Sequence, residues 1–428
     1  MCGRKPANAR PARARERAPL VHIDKYFNKR SAGPKSQLPS LRKTRLDSSD
    51  AARFGIRCRR AIIALVLLDA FETIVLPRRV TRPFRLTTLF YRITWKPWRL
   101  LAQAIPASRR RETFLGFFGP MSLILLLATW ALGLVLGFAI LYWAFGLKIA
   151  AVENGGAVTF WDGLYMSGTT FFTLGLGDLL PKTAGAKFLA VLECALGLGF
   201  LGLVIGYLPV IYEAFSSRER KIALLDARAG SPPTASEVLR RAIRAGNAPE
   251  VVSLLREFED WAADILESHI SYPVLCLYRS QHDNQSWLAA LTTILDVSAL
   301  VMVGVEGIPP QQARLTFAMA RHAVVDLTQI FNTPPVRDGA DRLSIEKLDA
   351  FRESLRLQGV VLREDTDANK ELTRLRETYE PHAKALAKFL LLTLPPFRPD
   401  KPRKDNWQTS AWKQMEGSAA MTITEDHF

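Results

Sequence analysis

Two long apolar runs set the outline of the chain. Met121 to Phe145 contains no charged residue, and Phe188 to Tyr212 contains only Glu193. Each exceeds the roughly 20 residues that an α-helix needs to cross a hydrocarbon core, so both are predicted to span a bilayer. The stretch between them, Lys148 to Lys187, is too short for a folded soluble domain. It suits a turret, a half-crossing helix and an extended return, because irregular backbone at membrane depth survives only where protein buries it or water lines it. A third apolar segment, Ala61 to Leu76, would be roughly 24 Å long as a helix, and Asp69 and Glu72 interrupt its apolar face. Two readings stay open for it, a third span or a helix in the interface. The span is favoured, which would place residues 1–60 outside.

Helical spacing continues elsewhere. From Arg85 to Ile105, Leu86, Leu89, Phe90 and Ile93 share one side while Arg85, Arg92 and Lys96 punctuate the other. An amphipathic helix on the inner leaflet is predicted, broken near Pro97, with Trp95 and Trp98 as headgroup anchors; the alternative is a helix packed on the C-terminal domain. Beyond Tyr212, helices are expected over Ser216 to Ala227, from Thr234 or Ser236 to Ala245, and over Val251 to Leu277, Trp287 to Val303, Gln311 to Phe331, Ile345 to Leu362 and Lys370 to Leu394. Leu288 to Val305 is apolar enough to raise a further span, but Asp296 at its centre and its marginal length favour a core helix.

Charge divides the chain. Residues 1–60 carry 17 Lys or Arg against 4 Asp or Glu, and residues 61–118 carry 10 against 3, so the net +16 sits in the first quarter. Arg78, Arg79, Arg82, Arg85, Arg92, Lys96, Arg99, Arg109, Arg110 and Arg111 face a single Glu112 over 77–118. By the positive-inside rule that side is cytoplasmic. The first long helix then runs outward, the second returns inward, and the rest is cytoplasmic. A basic block beside an apolar helix points to anionic lipid at residues 77–111 rather than to nucleic acid. Residues 1–50, rich in Arg, Ala, Pro and Ser, read as disordered, or as a targeting or mistranslated extension. Cys2, Cys58, Cys194 and Cys276 are scattered and imply neither a disulfide framework nor a zinc site.

The candidate chemistry lies in Thr173-Leu174-Gly175-Leu176-Gly177-Asp178. A dehydrated cation needs oxygen ligands at short, repeated spacing, and backbone carbonyls supply them only if successive residues point them inward together. Alternating glycines permit that conformation. The carbonyls of Thr173, Leu174, Gly175 and Leu176, with the Thr173 hydroxyl, would then form stacked rings of cation ligands. One chain gives one strand, so four chains are required. The preceding Phe160 to Phe172 suits a short buried helix whose C-terminal dipole end favours a cation, and Asp178 adds carboxylates at the mouth. On the second long helix, Glu193 is costly in a membrane. It is expected to brace the filter through Thr169, Thr170 or Trp161 rather than to bind an ion directly. Gly197, Gly199, Gly202 and Gly206 serve close packing, a hinge, or both, and Pro209 would bend the helix where a gate lies.

With these residues in view, the sequence resembles the potassium channel superfamily over roughly Phe117 to Phe215. That family reads TVGYGD after a pore helix similar to SFWDALY, and here Phe160-Trp161-Asp162, Thr-x-Gly-x-Gly-Asp and Pro181 are framed by two spans. The match looks most like the bacterial two-transmembrane-helix type, and Leu176 echoes the GLG variant of second pore loops in two-pore-domain channels. The resemblance places Gly197 at the usual hinge position. Leu176 stands for the usual tyrosine and Phe172 for a frequent threonine, which implies looser selectivity or a more collapsible filter.

The expected fold is an all-α membrane protein: a pore-loop channel of outer helix, pore helix, filter and inner helix, with an α-helical cytoplasmic C-terminal domain. The expected domains are a leader (1–60), an extra membrane segment with a basic interfacial region (61–118), the pore domain (119–215) and the helical domain (216–428). The expected function is passive potassium conduction by a homotetramer in a bacterial inner membrane, with no voltage sensor, since no Arg-rich helix precedes the pore. The alternatives are a poorly selective cation channel and a non-conducting membrane-anchored sensor. No glycine-rich nucleotide fingerprint, phosphate loop or paired nucleophile and base is present, so neither cofactor nor enzyme is expected. His269, His282, Asp283, His322 and Asp326 include one His-x-x-x-Asp pair, a weak metal signal.

Overall fold

The computed structural model describes residues 62–76, 85–144, 149–151, 159–244, 248–282, 284–338 and 341–398. The expected leader over 1–60, Arg78, Arg79, Arg82 and Asp283 lie outside the described residues. The described chain is helical apart from one small hairpin. Helix α1 (62–74) is followed by α2 (Leu86–Ala104) and α3 (Arg109–Ala144). Strand β1 (Ile149–Ala151), the short helix α4 (Phe160–Phe171) and β2 (Leu179–Pro181) precede α5 (Ala184–Ala229). The two strands pair antiparallel, Ile149 opposite Pro181. The C-terminal helices are α6 (Ala235–Arg244), α7 (Ala248–Ser271), α8 (Trp287–Gly304), α9 (Pro310–Ile330), α10 (Ile345–Arg356), α11 (Thr366–Glu377) and α12 (Glu380–Leu390), with a 3₁₀ turn at Pro273–Leu277.

Three of these helices, α3, α5 and α8, are long and apolar enough to cross a bilayer. Their burial separates them. The apolar window of α8 is 89% buried inside the protein, against 56% for α3 and 11% for α5. Helix α8 is thus the centre of the C-terminal core, and α5 has most of its apolar side chains left uncovered within one chain. Asp296 at the centre of α8 is accommodated by pairing, as a buried carboxylate requires. Arg342 donates to both Asp296 oxygens, at 3.2 and 2.5 Å, and to Glu380 at 3.1 Å, while the Tyr379 hydroxyl donates to Asp296 at 2.5 Å. Burial pushes the Asp296 carboxyl up and Arg342 opposes the shift. The Phe397 ring lies beneath both Arg342 and Arg376, 4.9 and 5.4 Å from their guanidinium carbons. Asp296→Ala removes one carboxylate of a buried ion network, leaving Arg342 with Glu380, and is expected to destabilise the protein by roughly 3–5 kcal/mol. Denaturant unfolding followed by tryptophan fluorescence measures this.

Helix α1 packs along α3 with opposite chain direction, Ile63 facing Gly137 and Val66 facing Gly133. Val66 and Ala70 enter one apolar cluster with Leu126, Leu127, Trp130, Ala131, Leu134 and Val135. The two acidic residues that interrupt α1 both hold α2. Asp69 accepts hydrogen bonds from the Thr87 amide (3.0 Å), the Thr87 hydroxyl (2.6 Å) and the Trp130 indole (3.0 Å), so it caps the first turn of α2 and ties it to α3. Glu72 pairs with Arg85 at 3.8 Å.

Several expectations are corrected here. Helix α2 runs unbroken through Pro97. Trp95 and Trp98 pack on protein, which favours the alternative of a helix packed on the C-terminal domain: Trp98 stacks on Phe114 at 4.4 Å, and Trp95 lies 4.8 Å from Phe118 and 6.2 Å from Phe389. The opposite face of α2, with Leu89, Arg92, Ile93, Lys96, Leu100 and Leu101, is exposed. Ser216 to Ala227 is the continuation of α5, not a separate helix. The segment Lys370 to Leu394 is two helices, because Pro381 begins α12 after Tyr379. Helix α10 ends at Arg356, before Gly359 takes φ +81°.

The lower end of α5 is fastened to the C-terminal domain by Arg218. Its guanidinium is buried, donates to the carbonyls of Leu275 (2.8 Å) and Tyr278 (3.0 Å), and pairs with Glu219 at 3.0 Å. His269, also buried, lies 3.4 Å from Arg218, and burial together with that cation holds its imidazole well below the usual histidine range.

Candidate functional site

The site begins with a helix whose start is fixed locally. Thr159 and Asp162 form a capping box: the Thr159 side chain accepts from the Asp162 amide, and Asp162 accepts from the Thr159 amide at 2.7 Å. Helix α4 then runs to Phe171, where its last carbonyls take up the amides of the following segment. The Leu174 amide donates to the Thr169 carbonyl at 2.7 Å and the Gly175 amide donates to the same oxygen at 3.4 Å.

From there the backbone alternates. Thr173 has φ +58°, Gly175 +56° and Gly177 +80°, while no positive φ occurs at Leu174 or Leu176. A residue in the left-handed region between residues that are not reverses the usual alternation of carbonyl direction, so successive C=O groups turn to one side. Glycine takes that conformation freely; Thr173 is strained by roughly 1–3 kcal/mol. Residues 173–178 are all exposed in the single chain. Asp178 follows, accepting from the Leu179 amide at 3.1 Å and hydrogen-bonded by the Tyr165 hydroxyl.

The wall behind this segment comes from α3 and α5. Glu193, fully buried, accepts from the Tyr142 hydroxyl at 2.9 Å and from the Ser167 hydroxyl, which also lies 2.8 Å from the Val135 carbonyl. One carboxylate thereby joins α3, α4 and α5. The expected partners Thr169, Thr170 and Trp161 are not used: Thr169 donates to the Met166 carbonyl, and Trp161 is 72% exposed. Tyr142→Phe leaves a buried Glu193 oxygen without its donor and is expected to cost roughly 1–3 kcal/mol. A lower thermal midpoint with the oligomeric state unchanged in detergent is the readout.

Gly197 meets α4 end on. A Cβ built there would lie 2.0 Å from the Phe171 carbonyl oxygen, so close packing alone requires glycine at this position. Gly199, Gly202 and Gly206 have nothing within 4 Å in the same chain. Pro209 lies inside α5, which continues for 20 residues beyond it. Sequence reasoning missed Tyr142 and Ser167; an uncharged polar side chain in each neighbouring helix was the available signal. Elsewhere, His322 and Asp326 approach at 3.7 Å with His322 exposed, and no group of three or more metal-binding side chains occurs among the described residues.

Residues 124–213 match the model of a family described as "Ion channel". The chain is also 24% identical over 202 residues to a protein of Bacillus subtilis (strain 168) named "Uncharacterized membrane protein YdjJ". That similarity covers 47% of this chain and 58% of the relative, so the chain spans somewhat over half of the relative's length. No solved structure matches.

Proposed function

We propose that residues 124–213, which match the family described as "Ion channel", are the pore module of a helical membrane protein, and that four copies of the chain form a potassium-conducting pore. The carrying observation is the alternating left-handed backbone at Thr173, Gly175 and Gly177. Carbonyls turned to one side of a single strand surround nothing; four strands about an axis enclose a dehydrated cation in stacked oxygen rings. Thr173, Leu174, Gly175 and Leu176 supply those oxygens, α4 directs the negative end of its dipole at them, and Asp178 draws cations to the mouth. The sparse burial of the apolar window of α5 fits the same assembly, since neighbouring copies cover it.

The basic residues at the start of α3 support a reading in which that end and the C-terminal helical domain lie in the cytoplasm of a bacterial cell, with the inner membrane around α3 and α5. The exposed face of α2, apolar with Arg92 and Lys96 beside it, lies on anionic lipid. Helix α5 gates, Glu193, Gly197 and Trp161 support the pore, and the C-terminal domain assembles the subunits or senses a signal.

The test is the reversal potential of the purified full chain in planar bilayers, with potassium on one side and sodium on the other. A value near the potassium equilibrium potential is expected. Leu176 favours a second reading, because its side chain is 63% exposed and has no hydroxyl to tie the filter to its surroundings. Substantial current reversing near zero would replace potassium selectivity with a loosely selective cation pore.

A further inference from the structure

Helix α5 has two unlike faces. Gly197, Ile211, Arg218 and Ile222 are buried, the first against α4 and the others against α3 or the C-terminal domain. Two residues beyond each of them, just over half a turn round the helix, stand Gly199, Glu213, Arg220 and Leu224, and all four are exposed. Before Glu213 this open face is uncharged. A Cβ at Gly199, Gly202 or Gly206 would meet nothing within 4 Å in the same chain. From Phe188 to Tyr212 the only charge is Glu193, buried on the opposite side. Glu213 is therefore the first charge met on the open face where the apolar run ends.

Arg220, seven residues on and so on the same line of the helix, reaches back to it. Its guanidinium donates to Glu213 Oε1 at 3.3 Å and to the Ser216 hydroxyl at 3.3 Å. The two side chains stay 70% and 61% exposed, and an exposed pair of this kind contributes little to folding. Other cations of this stretch are turned elsewhere: Lys221 and Arg228 pair with Glu257 on α7, at 2.9 and 3.8 Å. Arg220 is thus the cation placed to offset the charge of Glu213.

We propose that Glu213 gathers cations at the pore mouth on the side of the C-terminal domain, and that Arg220 sets how much of its charge they feel. This rests on the reading that four copies enclose a conducting pore. Four copies about an axis turn the buried face of α5 outward, toward α3 and the C-terminal domain, and the open face inward. Four Glu213 carboxylates then ring the passage just beyond its uncharged lining, with four Arg220 guanidiniums about 10 Å further along. A ring of one sign concentrates counter-ions and speeds their entry. Asp178 does this at the opposite mouth; Glu213 differs in having its own counter-charge, which weakens the ring's field while the pair is closed and restores it when Arg220 swings away.

The pair is exposed, so its variants are expected to fold. Unitary currents of the full chain are recorded in planar bilayers in about 0.1 M and about 1 M potassium chloride, where the Debye length is about 10 Å and about 3 Å. In the dilute salt, Glu213→Gln is expected to lower the current entering from the C-terminal-domain side by about twofold or more and to leave the opposite flow unchanged. Arg220→Gln raises that same current, and Glu213→Asp preserves it. In the concentrated salt all variants converge on the wild type. Currents indifferent to Glu213→Gln overturn the proposal. A deficit that persists in concentrated salt, or falls equally on both directions, overturns it too, because it assigns Glu213 a structural part. A gain from Arg220→Gln that survives in the double variant with Glu213→Gln does the same, since Arg220 then acts on another group. A wild-type chain without current refutes the pore itself, whereas a conducting wild type with indifferent variants refutes only the role of Glu213.

Discussion

Replacing Gly175 and Gly177 together by alanine is expected to abolish potassium current while leaving the chain folded and assembled. Neither position is crowded, since a Cβ at either would meet nothing within 4 Å in its own chain. The effect is conformational. Both residues hold φ in the left-handed region, at +56° and +80°, where an L side chain costs roughly 1–2 kcal/mol. Two substitutions amount to roughly 2–4 kcal/mol per chain, and four chains closing one ring to roughly 8–16 kcal/mol. A peptide flip relieves that strain by turning a carbonyl out of the ion path. Thr173 already bears such strain in the same segment, so little tolerance remains. Flux into potassium-loaded vesicles measures the loss, and an unchanged thermal midpoint separates it from misfolding. Unchanged flux would refute the filter.

Gly197→Ala is expected to be nearly as severe through a different cause. The added methyl would sit 2.0 Å from a backbone oxygen, that of Phe171, and a helix carbonyl does not rotate aside as a flexible side chain does. Helices α4 and α5 must separate by about 1 Å or more to restore ordinary contact, and overpacking of this kind costs roughly 1–3 kcal/mol. The displaced element carries the Thr169 carbonyl that holds the Leu174 amide, so the filter moves with it. A fall in potassium current of at least tenfold is predicted, with Gly202→Ala as the control, since that position is open in the single chain. Equal currents for the two variants would show that Gly197 has no special place in the pore.

Much of this architecture is legible in the sequence because it depends on neighbours in the chain. The candidate filter is six consecutive residues, α4 carries its own capping box, and α3 and α5 announce themselves by length without charge. What depends on the crossing of distant helices is not legible. The sequence points Glu193 to Thr169, Thr170 or Trp161, whereas it finds Ser167 and Tyr142, with α4 and α5 in the register at which Gly197 meets Phe171. Asp69 and Glu72 read as defects in a weak span until Thr87, Trp130 and Arg85 are brought beside them. Trp95 and Trp98 have the composition of headgroup anchors, and only the packing of α2 on α3, with α12 against Trp95, shows what they touch. In the C-terminal domain, helix existence followed from periodicity. The break before Pro381 and the early end of α10 were set by a proline at a helix start and a glycine at positive φ.

The continuity of α5 has a mechanical meaning. It is one rod from Ala184 to Ala229, pinned near its upper third where Gly197 touches the end of α4 and gripped near its foot by the carbonyls that hold Arg218. From Gly197 to Ala229 the rod is about 48 Å long at 1.5 Å per residue. A tilt of about 5° at the upper pin swings the foot by about 4 Å, more than the width of a dehydrated cation. Small rearrangements of the helices around Leu275 and Tyr278 thereby tilt α5 about its contact with α4, with the helix as the lever and the approach of Gly197 to the Phe171 carbonyl as its fulcrum.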